Sequence, residues 1–416
     1  MTKKYIFSAI LLGCAAAFTA CEDDLDPNSI FEEVSDELDP NSASYQLDKF
    51  LEDNYRAVYN LQFRYKMQDV GTDMNYNLIP ATYANSVDLA VMTKFLWFDV
   101  YDKVVTSDPA FLKKYGPRII HLIGSPAYNP ANGTMILGLA EGGLKVSLFR
   151  VNEMDVTDFY TLNEFYFKTM HHEFAHILHQ TKTYPQAFNQ ISTQFYDPMG
   201  WQDRNFDYCY SLGFTSDYAS GQAREDFAET IANYITKTSS EFLPANPDGT
   251  KPMGQWEEMM DHAGRGWEQL IDEYGMPVTE EGSRKPVYAC YYYYKDNIVS
   301  DENRTHATLD EVTETRDADG NVVSVTLNSN PNLTVYPVED IDGVDGPAVI
   351  EQKVQIARDW FRDAWGIDLD ELRAEVQRRQ LSINEPWDAN DPTGPTVLEH
   401  LRSQVYDIPA GENAMK

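Results

Sequence analysis

The stretch His171-His172-Glu173-Phe174-Ala175-His176, set within TLNEFYFKTMHHEFAHILHQ at residues 161–180, decides how this chain reads. The run holds no Pro or Gly, and Phe165, Phe167, Met170, Phe174, Ile177 and Leu178 recur near helical spacing, so it predicts a buried helix. On such a helix His172 and His176 are separated by about 6 Å along the axis and return to one face, where both imidazoles can bind the same small cation. Placing several His and a Glu on so apolar a helix is costly unless a metal and its hydrogen-bonded surroundings offset it. Zinc is the ion this ligand spacing predicts. Glu173, beside the first ligand, can reach a water at the metal without binding the ion, which is the place a general base must occupy. The motif therefore predicts a hydrolase.

A zinc held by two His needs a third protein ligand. One known arrangement sets a Gly three residues after the second His and another His three beyond it. Those positions hold His179 and Lys182 here, so that arrangement fails. His179 shares nearly the face of His172 but lies close to a full turn beyond His176, too far along the helix for three rings to meet at one ion. A second helix must supply the ligand, and Glu225-Asp226-Phe227-Ala228-Glu229, followed by TIANYI, reads as that helix. Glu225 and Glu229 share a face, while Phe227 and Ile231 mark an apolar side. Alone, two glutamates four apart describe a solvated stripe. Read with the His motif, Glu225 becomes the third ligand and Glu229 the carboxylate that orients a ligand imidazole through its free ring nitrogen.

The N-terminus speaks to location. Lys3 and Lys4 precede an apolar run at residues 5–18 that ends in Phe18-Thr19-Ala20-Cys21, the pattern of a signal peptide cleaved before a lipidated cysteine. Leu11-Leu12-Gly13-Cys14 is a rival cleavage site, disfavoured because it leaves a very short apolar core. A transmembrane anchor needs about 20 apolar residues, more than this run offers, so the expectation is a chain anchored to membrane through lipid on Cys21 alone. From Cys21 to Asp39 there are nine acids and no Lys or Arg, and Leu-Asp-Pro-Asn-Ser occurs twice, which predicts an extended acidic tether.

A formal charge of -33 excludes nucleic acid as a partner, since a phosphate backbone would be repelled. With 43% hydrophobic and 13% aromatic residues the chain can bury a large core. Besides Cys21, the expected mature chain keeps only Cys209 and Cys290, enough for one disulfide but not for a disulfide framework. Helices are expected over residues 45–66 and 87–105, then strands over 118–123, 134–139 and 144–151. Residues 184–221 read as a long aromatic loop between the two metal helices, walling the cleft. Further on, a hairpin is expected over 311–327 around residues 318–321, and a helix pair over 348–365 and 369–380 broken at Gly366. Tyr288 and Tyr291 to Tyr294 form an aromatic cluster best read as core packing.

His172-Glu173-x-x-His176 followed by Glu225-x-x-x-Glu229 resembles the gluzincin metallopeptidases, and most closely their lethal-factor type, in which a Tyr stands seven residues before the ligand Glu. That position is Tyr218. The resemblance implies zinc on His172, His176 and Glu225, with Glu173 as the base and Tyr218 as donor to the oxyanion of the reaction. Thermolysin-like members carry Asp where this chain has Glu229. In gluzincins a small sheet precedes the zinc helix and its edge strand lines the cleft; residues 145–151 are the candidate. More narrowly, the N-terminal signal, HHEFAHILHQ, YASGQAREDFAET and WFRDAWGIDLDELRAEVQRR resemble zinc-binding metallopeptidase lipoproteins of Bacteroidetes that are encoded beside TonB-dependent import systems. In that group, acids directly behind the lipidated Cys resemble a signal for the outer face of the outer membrane.

The expected protein is a surface lipoprotein of α+β class, a mostly helical gluzincin-like metallopeptidase with a small mixed sheet before the zinc helix. Its parts are a signal peptide at 1–20, a tether at 21–44, a catalytic core at 45–240, a helical extension with a hairpin insertion at 241–385, and a tail at 386–416. Peptides or proteins are the expected substrates and components of a TonB-dependent importer the expected partners. The reading from another class is a non-catalytic lipoprotein that captures ligands for an importer while retaining a zinc site.

Overall fold

The computed structural model describes residues 38–67, 78–128, 135–136, 138–141, 145–294, 304–307, 311–317, 322–337 and 342–411. The signal segment, Cys21, the acidic stretch through residue 37, the hairpin tip at 318–321 and the side chains of Tyr291 to Tyr294 lie outside the described residues.

The first helical run opens at Tyr45–Leu51, passes through a wide turn at Glu52–Arg56 and ends at Ala57–Tyr59. It is shorter than the helix expected over 45–66. Asn60 adopts a left-handed conformation (φ 57°) that closes the helix, and the chain enters strand β1, Gln62–Arg64. The next helix starts four residues earlier than expected, because the Thr82 side chain accepts from Asn85 N and caps α1, Tyr83–Thr93. It continues through Lys94–Phe98 to Asp99–Val104 and buries Trp97, Phe98 and Tyr101.

Five further strands follow: β2 (Ile119–Leu122), β3 (Ala127–Tyr128), β4 (Met135–Ile136), β5 (Gly138–Glu141) and β6 (Lys145–Leu148). β3 and β4 make a separate ribbon, and the others form a four-stranded sheet in the order β1-β2-β6-β5. β1, β2 and β6 run parallel, while β5 runs antiparallel to β6 with Leu139 opposite Ser147. This corrects the expectation that residues 145–151 form the edge. β6 uses one ladder on β2 and the other on β5, so β5 is the outer strand.

The helix predicted over 161–180 runs from Phe159–Leu162 through Asn163–Phe167 into α2, Lys168–Thr181. Its start is set by the Asp158 side chain, which accepts from Thr161 N. Phe174, buried on the side away from the metal ligands, packs edge-on against Trp97 at 5.0 Å and Tyr101 at 5.1 Å. An aromatic in such a setting contributes about 3–5 kcal/mol, so this face fixes the rotation of α2.

Residues 184–221 are not a plain loop. They fold into short helical turns at Phe188–Ile191, Thr193–Phe195, Trp201–Asp203, Phe206–Ser211 and Tyr218–Gly221, the fourth capped by the Asn205 side chain and the last by that of Asp217. Then comes α3, Ala223–Thr236, in which every residue from Glu225 onward is buried.

The C-terminal part carries a sheet larger than a hairpin. β7 (Trp267–Gln269), β8 (Tyr288–Tyr294), β9 (Arg304–Ala307), β10 (Val312–Arg316), β11 (Val322–Leu327) and β12 (Asn330–Pro337) form it in the order β10-β11-β12-β8-β7, with β9 also on β8. The expected hairpin over 311–327 is present as antiparallel β10 and β11. The expected helix pair is α4 (Gly346–Trp360, extended through Phe361–Trp365) and α5 (Leu369–Ser382), and Gly366 separates them at a left-handed φ of 68°. Trp360, Phe361 and Leu372 are buried. Where a tail was expected at 386–416, a Thr396/Glu399 capping box opens a further helix, α6, Val397–Tyr406.

One apolar core runs from Leu47 to Val405 and takes residues from α1 through α6. The catalytic and C-terminal parts therefore share a core. Cys209 is a buried free thiol. Among the described residues no helix is long and apolar enough to cross a membrane. The class is α+β and mostly helical, as expected.

Candidate metal centre

α2 and α3 pack side by side and bring the two sequence motifs together. His172 Nε2 and His176 Nε2 stand 3.0 Å apart, and Glu225 Oε2 lies 2.9 Å from the second and 3.3 Å from the first. Two imidazole nitrogens and a carboxylate oxygen this close can share a proton or together hold a metal cation. For an ion about 2.0–2.1 Å from each of four ligands, the edge of the tetrahedron is about 3.3 Å, so the donor set fits zinc in size and in chemistry. Glu173 also offers a carboxylate oxygen within 4.8 Å of the imidazole ligand atoms. Glu225 Oε2 is nearer to both imidazoles than that limit, at 3.3 and 2.9 Å.

The surroundings hold each ligand. His172 Nδ1 lies 2.8 Å from Glu229 Oε1, a close contact with the carboxylate although it falls outside hydrogen-bond alignment. Glu229 is itself fixed: Ser216 Oγ and Asn233 Nδ2 donate to its Oε2 at 2.6 and 3.2 Å, and Lys168 Nζ stands 4.0 Å away. His176 Nδ1 lies 2.9 Å from His179 Nε2, to which it can donate a proton when its Nε2 serves as a lone-pair donor to a metal. His179 thus lies against the Nδ1 side of the His176 ring and not within the cluster. Its ring packs on Tyr184, and burial pushes its pKa down to about 4, so it stays neutral and able to accept. Gln222 Nε2 and Arg224 Nη2 donate to Glu225 Oε1 at 3.2 and 3.1 Å.

His171, first of the pair, is a core residue. Its Nδ1 faces Tyr101 Oη at 3.1 Å, and burial drives its pKa down to about 3.

Tyr218 reaches the site from the turn before α3. Its ring lies 5.7 Å from that of His172 and 4.8 Å from that of Trp201, and its hydroxyl is close enough to Glu225 to feel its charge. Asp217 accepts from Tyr218 N at 2.7 Å and is paired with Lys285 at 2.5 Å. Gly221 allows this packing, since a Cβ there would come within 3.2 Å of Trp201 Cδ1. Burial, reinforced by the charge of Glu225, raises the Tyr218 pKa and keeps it a neutral donor. Burial likewise raises Glu173, with Glu225 and Glu229 adding to the effect against the opposing charges of His172 and His176.

All the predicted site residues in the described part of the chain, His172, Glu173, His176, Tyr218, Glu225 and Glu229, thus gather at one place. Sequence reasoning missed Lys168, His179, Ser216 and Asn233. Three had a legible signal: Lys168 is four residues before His172, His179 three after His176, and Asn233 four after Glu229, all on shared helical faces. Ser216 comes from a turn and had none.

The electrostatics of the metal-free site lead to a measurable coupling. Burial alone would lower the pKa of His172, but the carboxylates of Glu225 and Glu229 outweigh it and raise it to about 10. Burial would raise Glu225, but hydrogen bonds from His172 and His176 outweigh that and hold it far below the usual range. In the absence of a metal His172 therefore carries a proton, which zinc must displace on binding. Below pH 10 zinc uptake should release at least one proton per ion, and affinity should weaken as pH falls. Calorimetric titration of zinc at pH 7 in two buffers of different ionisation enthalpy measures this; equal heats in both would show that His172 is not protonated.

A zinc-binding metallopeptidase is the class that this fold and site describe. A family model described as "Putative zinc-binding metallo-peptidase" matches residues 40–257. A solved structure of "a putative zinc-binding metallo-peptidase" from Bacteroides caccae is similar with a TM-score of 0.52 and 30% sequence identity, over 85% of this chain and 95% of that one. No curated protein matches the chain. The chain belongs to this zinc-binding metallopeptidase family, and its cofactor is zinc.

Proposed function

We propose that the chain is a gluzincin-type peptidase in which His172, His176 and Glu225 hold zinc and Glu173 and Tyr218 carry the proton chemistry. The convergence of two imidazole nitrogens and one carboxylate oxygen within 3.3 Å, with Glu173 left free beside them, supports this reading most directly. Zinc, when bound, supplies Lewis-acid polarisation of the scissile carbonyl. Glu173 takes a proton from the attacking water on its carboxylate and later gives it to the leaving amine, a cycle suited to a carboxyl whose pKa burial has raised. Tyr218 donates its phenolic hydrogen to the oxyanion, and the packing of Trp201 on its ring fixes that donor before substrate arrives. Glu229 and His179 keep the two imidazoles in the orientation that presents Nε2. Incubation of the zinc-loaded protein with a mixed peptide library, read by mass spectrometry, should show new termini that vanish with a chelator. A library left intact by fully loaded protein would sink the peptidase reading.

The same proposal places the protein at the outer membrane, facing the cell surface, anchored through lipid on Cys21 and acting on peptides or proteins beside a TonB-dependent importer. The basic, apolar and Cys-terminated N-terminal pattern and the acids that follow support it. Cys21→Ala should leave an unprocessed or mislocalised chain; unchanged membrane partitioning, or lipid on Cys14, would count against it.

A further inference from the structure

Between the two functional carboxylates of α3 stands Asp226, pointing to the opposite side of the helix from the metal. Its carboxylate meets Lys353 Nζ of α4 at 2.7 Å, and both side chains are completely buried, at 0% exposure each. Such a pair is an expensive way to hold two helices together, because two charges leave water where apolar residues of similar size would serve stability as well or better. What the ammonium offers beyond stability is direction. It also donates to the Gly213 carbonyl at 2.7 Å and lies 4.2 Å over the ring of Phe214. Asp226 Oδ2 accepts from Tyr196 Oη at 2.7 Å as well.

One group thus joins the helix that carries Glu225 and Glu229 to the loop that carries Ser216 and Tyr218, and to Tyr196 in the segment between the motifs. A second contact presses α4 on the same loop. Gly213 has φ +82°, and a Cβ there would come within 2.2 Å of Val349 Cγ1 of α4. At the start of α4, a Cβ on Gly346 would meet the Tyr210 and Ser211 carbonyl oxygens at 2.7 and 2.8 Å. The backbones are packed so closely here that a shift of α4 must move the loop.

We infer that Lys353 is a positioning residue of the metal centre: from the C-terminal helix it sets the rotation of α3 and the place of the Tyr218 loop, and so the presentation of Glu225 to zinc. This inference rests on the reading of Glu225 as ligand. It makes α4, beyond the residues matched by the family model, a working part of the site and not an appended scaffold.

The test compares wild type, the double variant Lys353→Met with Asp226→Asn, and Tyr196→Phe, each stripped of metal. Zinc affinity is measured by competition with a chromophoric chelator, alongside the thermal unfolding of the metal-free forms. Removing both charges together leaves no unpaired ion, so the double variant should unfold within a few degrees of wild type. Its zinc affinity should nevertheless fall about 10–100-fold, the usual effect of losing a contact that orients a ligand. Tyr196→Phe, which leaves both charges in place, should lose about threefold to tenfold. Wild-type zinc affinity in a folded double variant would overturn the inference and make the pair purely structural. Should the double variant not fold, unchanged affinity in Tyr196→Phe overturns it, and a loss supports it. Failure of the wild type itself to bind zinc is a different result and removes the metal-site reading instead.

Discussion

Glu173→Gln should bind zinc as wild type does and turn over peptide at least about 10²–10⁴ times more slowly, the range that general acid–base catalysis contributes. The substitution preserves size and removes only the ability to take and return a proton. Burial raises the Glu173 pKa, and Glu225 holds the nearer position to the imidazoles. Metal content and rate thus separate cleanly at this residue. The comparison with Tyr218→Phe sharpens the assignment. That variant should also keep its zinc while losing on the order of 10²–10³ in kcat, because only the oxyanion donor is gone. A Glu173→Gln protein that cleaves as fast as wild type would end the base assignment whatever its metal content.

The opposite pattern belongs to the ligands. Glu225→Ala and His176→Ala should each lose zinc and activity together, with affinity falling by about 10²–10⁴-fold, as expected if each of three ligands carries roughly a third of about 10–16 kcal/mol of site binding energy. In Glu225→Ala the loss has a further source: His172 and His176 both face the Glu225 Oε2 position at 3.3 and 2.9 Å, so the two imidazoles are left facing one another with no anion between them and the ion. Metal analysis after dialysis reads the outcome directly. Full zinc retention in either variant would remove that residue from the ligand set.

Both results separate what was legible in the residues from what was not. The residues that gather at the site were legible because their geometry is local. A helix repeats every 3.6 residues, so His172 and His176 on one run, and Glu225 and Glu229 on another, must share faces whatever the rest of the chain does. The apolar backing was legible for the same reason, and Phe174, Phe227 and Ile231 are buried as their spacing required. Element ends were less legible. The left-handed Asn60 that shortens the first helix depends on where the chain must go next, and the cap at Thr82 that lengthens the second competes with several other polar residues nearby.

The amino-acid sequence by itself determined the chemistry available to this protein: the two imidazoles and three glutamates that gather at one place, the strongly acidic charge, and the mostly helical α+β class. Tertiary structure alone decided which strand forms the sheet edge, that residues 184–221 fold into short helical turns, that Ser216 meets Glu229, and that Lys353 meets Asp226. The physical reason is separation along the chain. Periodicity carries information over one or two helical turns, whereas Lys353 meets Asp226 across more than a hundred residues, at a distance fixed only when α3 and α4 bury their faces in one core.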